Sequence, residues 1–175
     1  MTSPDDPILK DFQDESKALI EKMISILDQC EGSFSQVKSL EEYGQTVDRI
    51  MGGATSLAMA LATPSARVQQ IGDYAGVCKA VGYKASQIKG NEQFYDICVA
   101  LLQDATEVLE ALVDNLFEQG EQNLKSVLNQ PFIDRLKWVS DKFGAEYRAS
   151  VDVNKKSGPM DQAEIDDLLK KLGLD

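Results

Sequence analysis

Residues 92–119 read EQFYDICVALLQDATEVLEALVDNLFEQ, and this stretch decides the fold. Apolar residues recur in it at intervals of three and four, the spacing of one face of an α-helix. That face comprises Phe94, Ile97, Cys98, Leu101, Leu102, Ala105, Val108, Leu109, Leu112, Val113 and Leu116. It is the most apolar face in the chain, so we expect residues 92–119 to form the central helix of a helical core.

The same spacing predicts three further long helices on the amino-terminal side of this segment. They are expected over about residues 7–30, 35–61 and 65–88. Glu31-Gly32-Ser33 breaks the first from the second, and Thr63-Pro64-Ser65 breaks the second from the third. Helices this long, joined by turns this short, predict neighbours that run in opposite directions.

Residues 121–148 continue the helical pattern, and Pro131 is expected to break or kink them. Gly72, Gly76 and Gly82 weaken the third helix by propensity and indicate that a neighbouring helix comes close. No alternating β pattern and no tight hairpin signal occurs. The predicted fold class is therefore all-α, an antiparallel bundle of four to five helices over residues 7–148.

Composition limits the functions that this bundle can have. The net charge is −11, from 18 Lys and Arg against 29 Asp and Glu, and no basic patch stands out. Nucleic acid and anionic membranes are therefore poor partners. The chain has no histidine, which excludes histidine acid–base chemistry, a histidine-containing triad and a phosphohistidine relay.

The cysteines and the chain start predict a cytoplasmic protein. Cys30, Cys78 and Cys98 are far apart and odd in number, so we expect buried, reduced thiols and no metal site. Residues 1–7 lack the features of a signal peptide, and no apolar run approaches the length of a membrane span.

Residues 161–174 read DQAEIDDLLKKLGL and predict a short amphipathic helix behind a flexible linker at 149–160. Asp161 and Glu164 have the spacing of a capping box, and Gly173 can end the helix. The apolar stripe comprises Ile165, Leu168, Leu169 and Leu172. A helix this short is marginal alone, so it needs a surface, either on its own body or in a groove of another protein.

This tail resembles docking peptides of bacterial chemotaxis. Gln162-Ala163-Glu164-Ile165-Asp166, followed by Leu168-Leu169, is similar to the segment of the flagellar switch protein FliM that captures phosphorylated CheY. The Asp-Gln, Asp-Asp-Leu-Leu and Leu-Gly pattern is similar to the carboxyl terminus of the CheY phosphatase CheZ. The resemblance implies a CheY-like response regulator as partner. It would be bound by Asp161, Gln162, Ala163, Glu164, Ile165, Asp166, Asp167, Leu168, Leu169 and Leu172.

A second resemblance lies on the second helix, in DRIMGGA at residues 48–54. It is similar to the signature of histidine phosphotransfer (HPt) domains, His-x-Ile/Leu-Lys-Gly-x-Ala, which belongs to a helical bundle. Asp48 replaces the phosphorylated histidine and Met51 replaces the lysine, whereas Gly52 matches. The resemblance implies an HPt-like bundle that cannot carry phosphate. The alternative is that the small residues serve only tight helix packing.

A competing resemblance is to CheZ itself, a helical hairpin that dimerises into a four-helix bundle and would imply a homodimer. CheZ carries an acidic residue and, four positions later, a glutamine that orients water onto the aspartyl phosphate of CheY. Gln103 and Asp104 begin a similar stretch, but Val108 occupies the position of the glutamine. This departure leaves open whether the chain is an enzyme.

The resemblances together predict a two-component signalling protein that binds a CheY-like regulator and promotes its dephosphorylation. Such a phosphatase needs only an amide that aligns water, and the regulator would supply Mg²⁺, so this chain needs no cofactor of its own. Gln45 lies one turn before Asp48 and shares its face, which makes this pair the first catalytic candidate and Gln103 with Asp104 the alternative. A non-enzymatic pseudo-HPt adaptor and a structural bundle with a self-packed tail remain as alternatives.

Overall fold

The structure, a computed structural model, describes residues 6–118, 120, 122–146 and 162–173. Within these ranges the chain is helical and has no β-strand, which confirms the predicted all-α class. The helices are α1 (Asp6–Cys30), α2 (Ser39–Ala60), α3 (Ala66–Ala85), α4 (Glu92–Asp114), α5 (Leu124–Val127), α6 (Gln130–Glu146) and α7 (Gln162–Lys171). A short 3₁₀ turn, Phe34–Gln36, lies between α1 and α2.

Turn chemistry explains where the helices end. Gly32, Gly90, Gly120 and Gly173 all have positive φ angles, which glycine adopts readily in the turns that follow helices. Three helices are shorter than predicted, and the first of them, α3, ends at Ala85 rather than at residue 88. The 3₁₀ turn takes the first residues of the expected second helix, and α4 ends at Asp114 rather than at residue 119.

The break expected at Pro131 lies just before it: α5 ends at Val127, and Pro131 lies in the first turn of α6, which begins at Gln130. Asn129 precedes α6, and its side-chain oxygen accepts a hydrogen bond from the backbone N–H of Phe132 at 2.8 Å. Proline is favoured in the first turn because its missing N–H would have no helical partner there. The predicted segment 121–148 is therefore divided into α5 and α6.

The four long helices form a ring in which each helix packs on two neighbours: α1 and α3 each lie between α2 and α4. Residue pairs across the seams run in opposite directions, as in an antiparallel bundle. Three fully buried tyrosines cross the core with their hydroxyls satisfied. Tyr43 bonds Thr106 at 2.9 Å, Tyr74 donates to the Ala105 carbonyl at 3.0 Å, and Tyr95 donates to the Cys30 carbonyl at 2.6 Å.

Glycines allow α2 and α3 to approach closely. A Cβ atom on Gly82 would lie 2.7 Å from the Tyr43 ring, and one on Gly44 would lie 2.8 Å from the Tyr83 ring. A Cβ atom on Gly72 would lie 3.2 Å from the Cβ of Ala54. The close approach predicted from Gly72 and Gly82 is confirmed.

The carboxyl-terminal helices cover the outside of this ring. α6 packs on α4, and α7 packs on α3 and α6. Arg67 of α3 anchors the chain that follows α4. Its guanidinium donates to the carbonyls of Asn115 and Gly120, both at 3.1 Å, and to the side-chain oxygen of Gln122 at 2.7 Å.

The three cysteines are buried and form no disulfide, as predicted. Burial raises the pKa of the Cys78 thiol to about 12. Among the helices of the described residues, none has both the length and the apolarity that crossing a bilayer requires.

Candidate functional site

The outer face of α2 carries the first pair of candidate residues. Gln45 and Asp48 are both exposed, and Arg49 and Gly52 continue the same stripe. The helical repeat explains this exposure, because the residues of α2 between these positions point into the core. These are Val47, Ile50 and Ala54. The prediction that Gln45 and Asp48 share one face is confirmed.

Asp48 is paired with a lysine that the sequence analysis did not single out. The Nζ atom of Lys79, on α3, lies 2.7 Å from a carboxylate oxygen of Asp48. The lysine side chain is 22% exposed and the aspartate side chain 53%, so the pair lies at the edge of the α2–α3 seam. Lys79 Nζ also lies 6.0 Å from the ring centroid of Tyr83. Burial, and then the charge of Asp48, raises the pKa of Tyr83.

The register of the α2–α3 seam could have revealed Lys79. Gly82 meets Tyr43, and Gly72 meets Ala54, so antiparallel helices bring Asp48 opposite Lys79. This register depends on which glycine faces which partner, and helical periodicity alone does not supply that information.

Met51 points toward α3 and α7. A Cβ atom on Gly76 would lie 3.5 Å from the Met51 methyl carbon and 3.1 Å from Cδ1 of Leu168 in α7. The methionine and the leucine therefore meet above the backbone of α3 at Gly76. Met51 therefore makes an apolar contact here, which a lysine ammonium at this position could not make without losing its hydration.

Gly52 differs from its neighbour Gly53. A Cβ atom on Gly52 would meet nothing within 4 Å among the described residues, whereas one on Gly53 would lie 3.4 Å from the ring of Phe12. A Cβ atom would make an ordinary van der Waals contact at Gly53 and would meet open space at Gly52, so close packing requires glycine at neither position. The backbone of α2 is open to an approaching molecule at Gly52.

A polar groove of about 600 Å³ lies between α1 and α2, on the other side of Gln45. Two of its three cations have acidic neighbours: Lys22 lies 3.2 Å from Glu42, and Arg49 lies 3.8 Å from Glu15. The groove is therefore lined by charges of both signs, Lys22, Lys38 and Arg49 beside Glu41 and Glu42. Across the described residues, no group of three or more His, Cys, Asp or Glu side chains could hold a metal ion.

The alternative catalytic pair lies elsewhere. Gln103 and Asp104 are half-buried on α4, and Asp104 forms an ion pair with Arg135 of α6. Val108 packs against the core. Since α2 and α4 occupy diagonal corners of the ring, the two candidate pairs do not combine into one site.

The apolar stripe of α7 lies on the protein's own body. Ile165 is fully buried, Leu169 is 5% exposed, and Leu168 and Leu172 pack against the core. In this arrangement α3 and α6 supply an apolar surface that covers the stripe. This arrangement corresponds to the self-packed tail, one of the two alternatives that the sequence left open.

The polar part of α7 faces outward. Asp166, Asp167, Lys170 and Lys171 are exposed. Lys171 lies near Asp73 of α3, whose pKa is raised by burial and lowered to a smaller extent by the lysine charge. Asp161, the side chains of residues 162–164 and the predicted linker 149–160 lie outside the described residues.

The candidate site thus consists of the Gln45 amide on α2 and the Asp48–Lys79 ion pair between α2 and α3. The acidic amphipathic helix α7 packs on the same α3. A comparison with protein-family models gives no match, and comparisons with curated proteins and with solved structures give none either.

Proposed function

We propose that this chain is a two-component signalling protein that binds a CheY-like receiver domain through residues 161–174. The observation that carries the proposal is α7 itself: the docking pattern of the sequence coincides with a helix that places Ile165, Leu168 and Leu169 on one side and its acidic residues on the other. Amphipathic helices of this kind bind grooves through apolar anchors at such spacings.

The body is proposed to be an HPt-like platform. Four long helices close a ring within one chain, so the core needs no second copy. This supports the HPt-like alternative over the CheZ-like hairpin, which completes its bundle by dimerisation. With Asp48 at the position of the histidine, the platform has no imidazole to phosphorylate.

The same platform is proposed to promote dephosphorylation of the bound receiver. In that reaction water attacks the phosphorus, the acyl phosphate bond breaks, and carboxylate and inorganic phosphate are released. Gln45 is the candidate amide, because it is exposed on α2 and could align the water. Mg²⁺ would come with the receiver.

Release of inorganic phosphate from a phosphorylated CheY-like receiver tests this proposal. Full-length protein should accelerate release, a chain that ends at Ser157 should accelerate it less, and Gln45→Ala should lose the acceleration. Gln87→Ala is the matched control, because Gln87 is also exposed but lies at the end of α3. Lack of acceleration by the full-length protein would remove the phosphatase activity from the proposal.

A non-enzymatic adaptor is the second candidate. The Asp48–Lys79 ion pair favours it, because Lys79 already neutralises the charge of Asp48, the residue that the HPt resemblance aligns with the phosphorylated histidine. An adaptor would bind the receiver in isothermal titration and leave its phosphate lifetime unchanged.

A purely structural tail is the third candidate, and the burial of Ile165 and Leu169 favours it. It predicts that the chain ending at Ser157 is less stable and that the isolated peptide 157–175 captures no receiver.

A further inference from the structure

The apolar stripe of α7 has two competing uses. On the body, Ile165 and Leu169 are almost completely buried against α3 and α6, and Leu168 is seated at Gly76. Under the proposed function, the same leucines are the anchors for a receiver domain. A helix of ten residues has one such stripe, so the two contacts exclude each other.

The surface of the body that α7 covers, formed by Gly76, Met51 and α6 and called the seat below, has room for Leu168. The glycine at position 76 leaves the space that Leu168 occupies, since a Cβ atom there would lie 3.1 Å from Cδ1 of that leucine. The methyl group of Met51 closes the seat from the side of α2. Gly76 is itself buried, although it lies on the outer side of α3, because α7 covers it.

The contact is incomplete at the other end of α7. An open crevice of about 390 Å³ remains between α3 and α7, and Asp73, Lys171 and Leu172 are among the residues that line it. Leu172 is only partly buried. A contact with a few buried anchors and an open end gains less free energy than a core seam, because that gain follows the apolar area removed from water.

From these contacts we infer that the seat formed by Gly76, Met51 and α6 is an intramolecular competitor that holds α7 away from the receiver. This inference rests on the proposed function. A receiver can bind only the fraction of molecules in which α7 has left the seat, so its apparent affinity falls by that fraction. Covalent attachment keeps α7 at a local concentration on the order of millimolar, which strengthens the competition.

Release of α7 would also change the body. Met51 and Gly76 would lose the cover of Leu168, and they lie next to the face that carries Gln45 and Asp48. Capture of the tail by a receiver would thus uncover the platform surface beside the candidate amide. Binding and exposure of the platform are coupled by one contact.

Binding of a phosphorylated CheY-like receiver, followed by fluorescence anisotropy, tests the competition. Three molecules are compared: the peptide 157–175, the full-length chain, and full-length Gly76→Val, which fills the seat but leaves the peptide unchanged. We expect the peptide to bind at least about tenfold more tightly than the full-length chain, and Gly76→Val to recover most of that difference.

Ala100→Val is the matched control, because it places the same side chain at an exposed position of α4, away from the α2 face and from Gly76. It should leave the affinity of the full-length chain unchanged. Asp73→Lys is a second body variant, outside the α2–α3 seam. It places a like charge near Lys171 and should raise the affinity by a smaller factor.

The outcomes separate the two proposals. Equal affinities for the peptide and the full-length chain, with no effect of Gly76→Val or Asp73→Lys, would overturn the competition but leave receiver binding intact. A peptide that does not bind the receiver would overturn the proposed function and the competition together. Thermal unfolding of each variant shows whether it is folded, and if Gly76→Val unfolds, Asp73→Lys decides.

Discussion

Two of the helices that pack on α3, α2 and α7, meet it in different ways. Toward α2, the rings of Tyr43 and Tyr83 lie directly on the backbones of Gly82 and Gly44. Toward α7, the flexible end of Leu168 lies at Gly76. Ring-on-backbone contacts tolerate little change, whereas a leucine end can shift by a few tenths of an ångström. The difference is consistent with the proposal that α7 can leave its contact with α3, whereas α2 and α3 stay packed together.

The largest expected effect of the α2–α3 seam is on the reactivity of the Cys78 thiol. Cys78 lies on α3 and forms a hydrogen bond with the Tyr43 side chain of α2. Burial raises its pKa from 9.0 to about 12, so at pH 8 its thiolate population is about a thousandfold smaller than in the unfolded chain. Alkylation of Cys78, followed by mass spectrometry, should be slow in the folded protein and rise with pH toward pH 12. If truncation after Ser157 makes Cys78 reactive at pH 8, the two seams are not independent.

Gly82→Ala tests the α2–α3 seam directly. The added methyl group would lie 2.7 Å from the buried Tyr43 ring, and such overpacking costs about 2 kcal/mol of unfolding free energy. Urea unfolding measures the loss. The control is Gly52→Ala, which meets no atom within 4 Å among the described residues and should stabilise the helix by about 0.5–1 kcal/mol. Equal behaviour of the two variants would contradict the close seam.

Ile165→Ala tests the α3–α7 seam. If α7 can leave a ring that stays folded, the cost of this substitution is limited to the free energy that holds α7 on the body. We expect Ile165→Ala to lower the free energy of unfolding by about 1–2 kcal/mol. Leu27→Ala, in the core, should lower it by roughly 2–5 kcal/mol. Urea unfolding of both variants gives the comparison. A loss for Ile165→Ala as large as that for Leu27→Ala would make α7 part of the core.

The smallest effect belongs to the Asp48–Lys79 pair at the outer edge of the α2–α3 seam. A double-mutant cycle with Asp48→Asn and Lys79→Met should give a coupling energy of about 0.5 kcal/mol, because both side chains remain partly exposed. Raising the salt concentration should reduce it. A coupling that salt does not change would mean that the pair is more deeply buried than its exposure indicates.

The ring of helices was largely predictable from sequence. Each of α1 to α4 carries an apolar stripe, and the breaks at Gly32 and Gly90 mark their ends, so periodicity and turn chemistry were sufficient. The short 3₁₀ turn before α2 was missed because a few residues do not carry a period. The early end of α4 was missed because Arg67, distant in sequence, binds the carbonyl of Asn115.

The candidate site was predictable only in part. The shared face of Gln45 and Asp48 follows from their spacing within α2, and it was predicted. Lys79 was missed because its position opposite Asp48 depends on the packing of α2 on α3. The seat of α7 was left open because an amphipathic helix fits any apolar surface, and its sequence does not say which surface it covers.

Arg67 has a consequence for measurements of local order. Among the described residues of this turn, its guanidinium donates hydrogen bonds only to oxygen atoms: the carbonyls of Asn115 and Gly120 and the side-chain oxygen of Gln122. Hydrogen–deuterium exchange, in contrast, reports on backbone N–H groups. An amide in this turn can therefore exchange quickly while the turn stays fastened to α3, and rapid deuterium uptake there would not show that the turn is loose. Proteolytic susceptibility, compared between the natural chain and Arg67→Met, would report on the fastening itself.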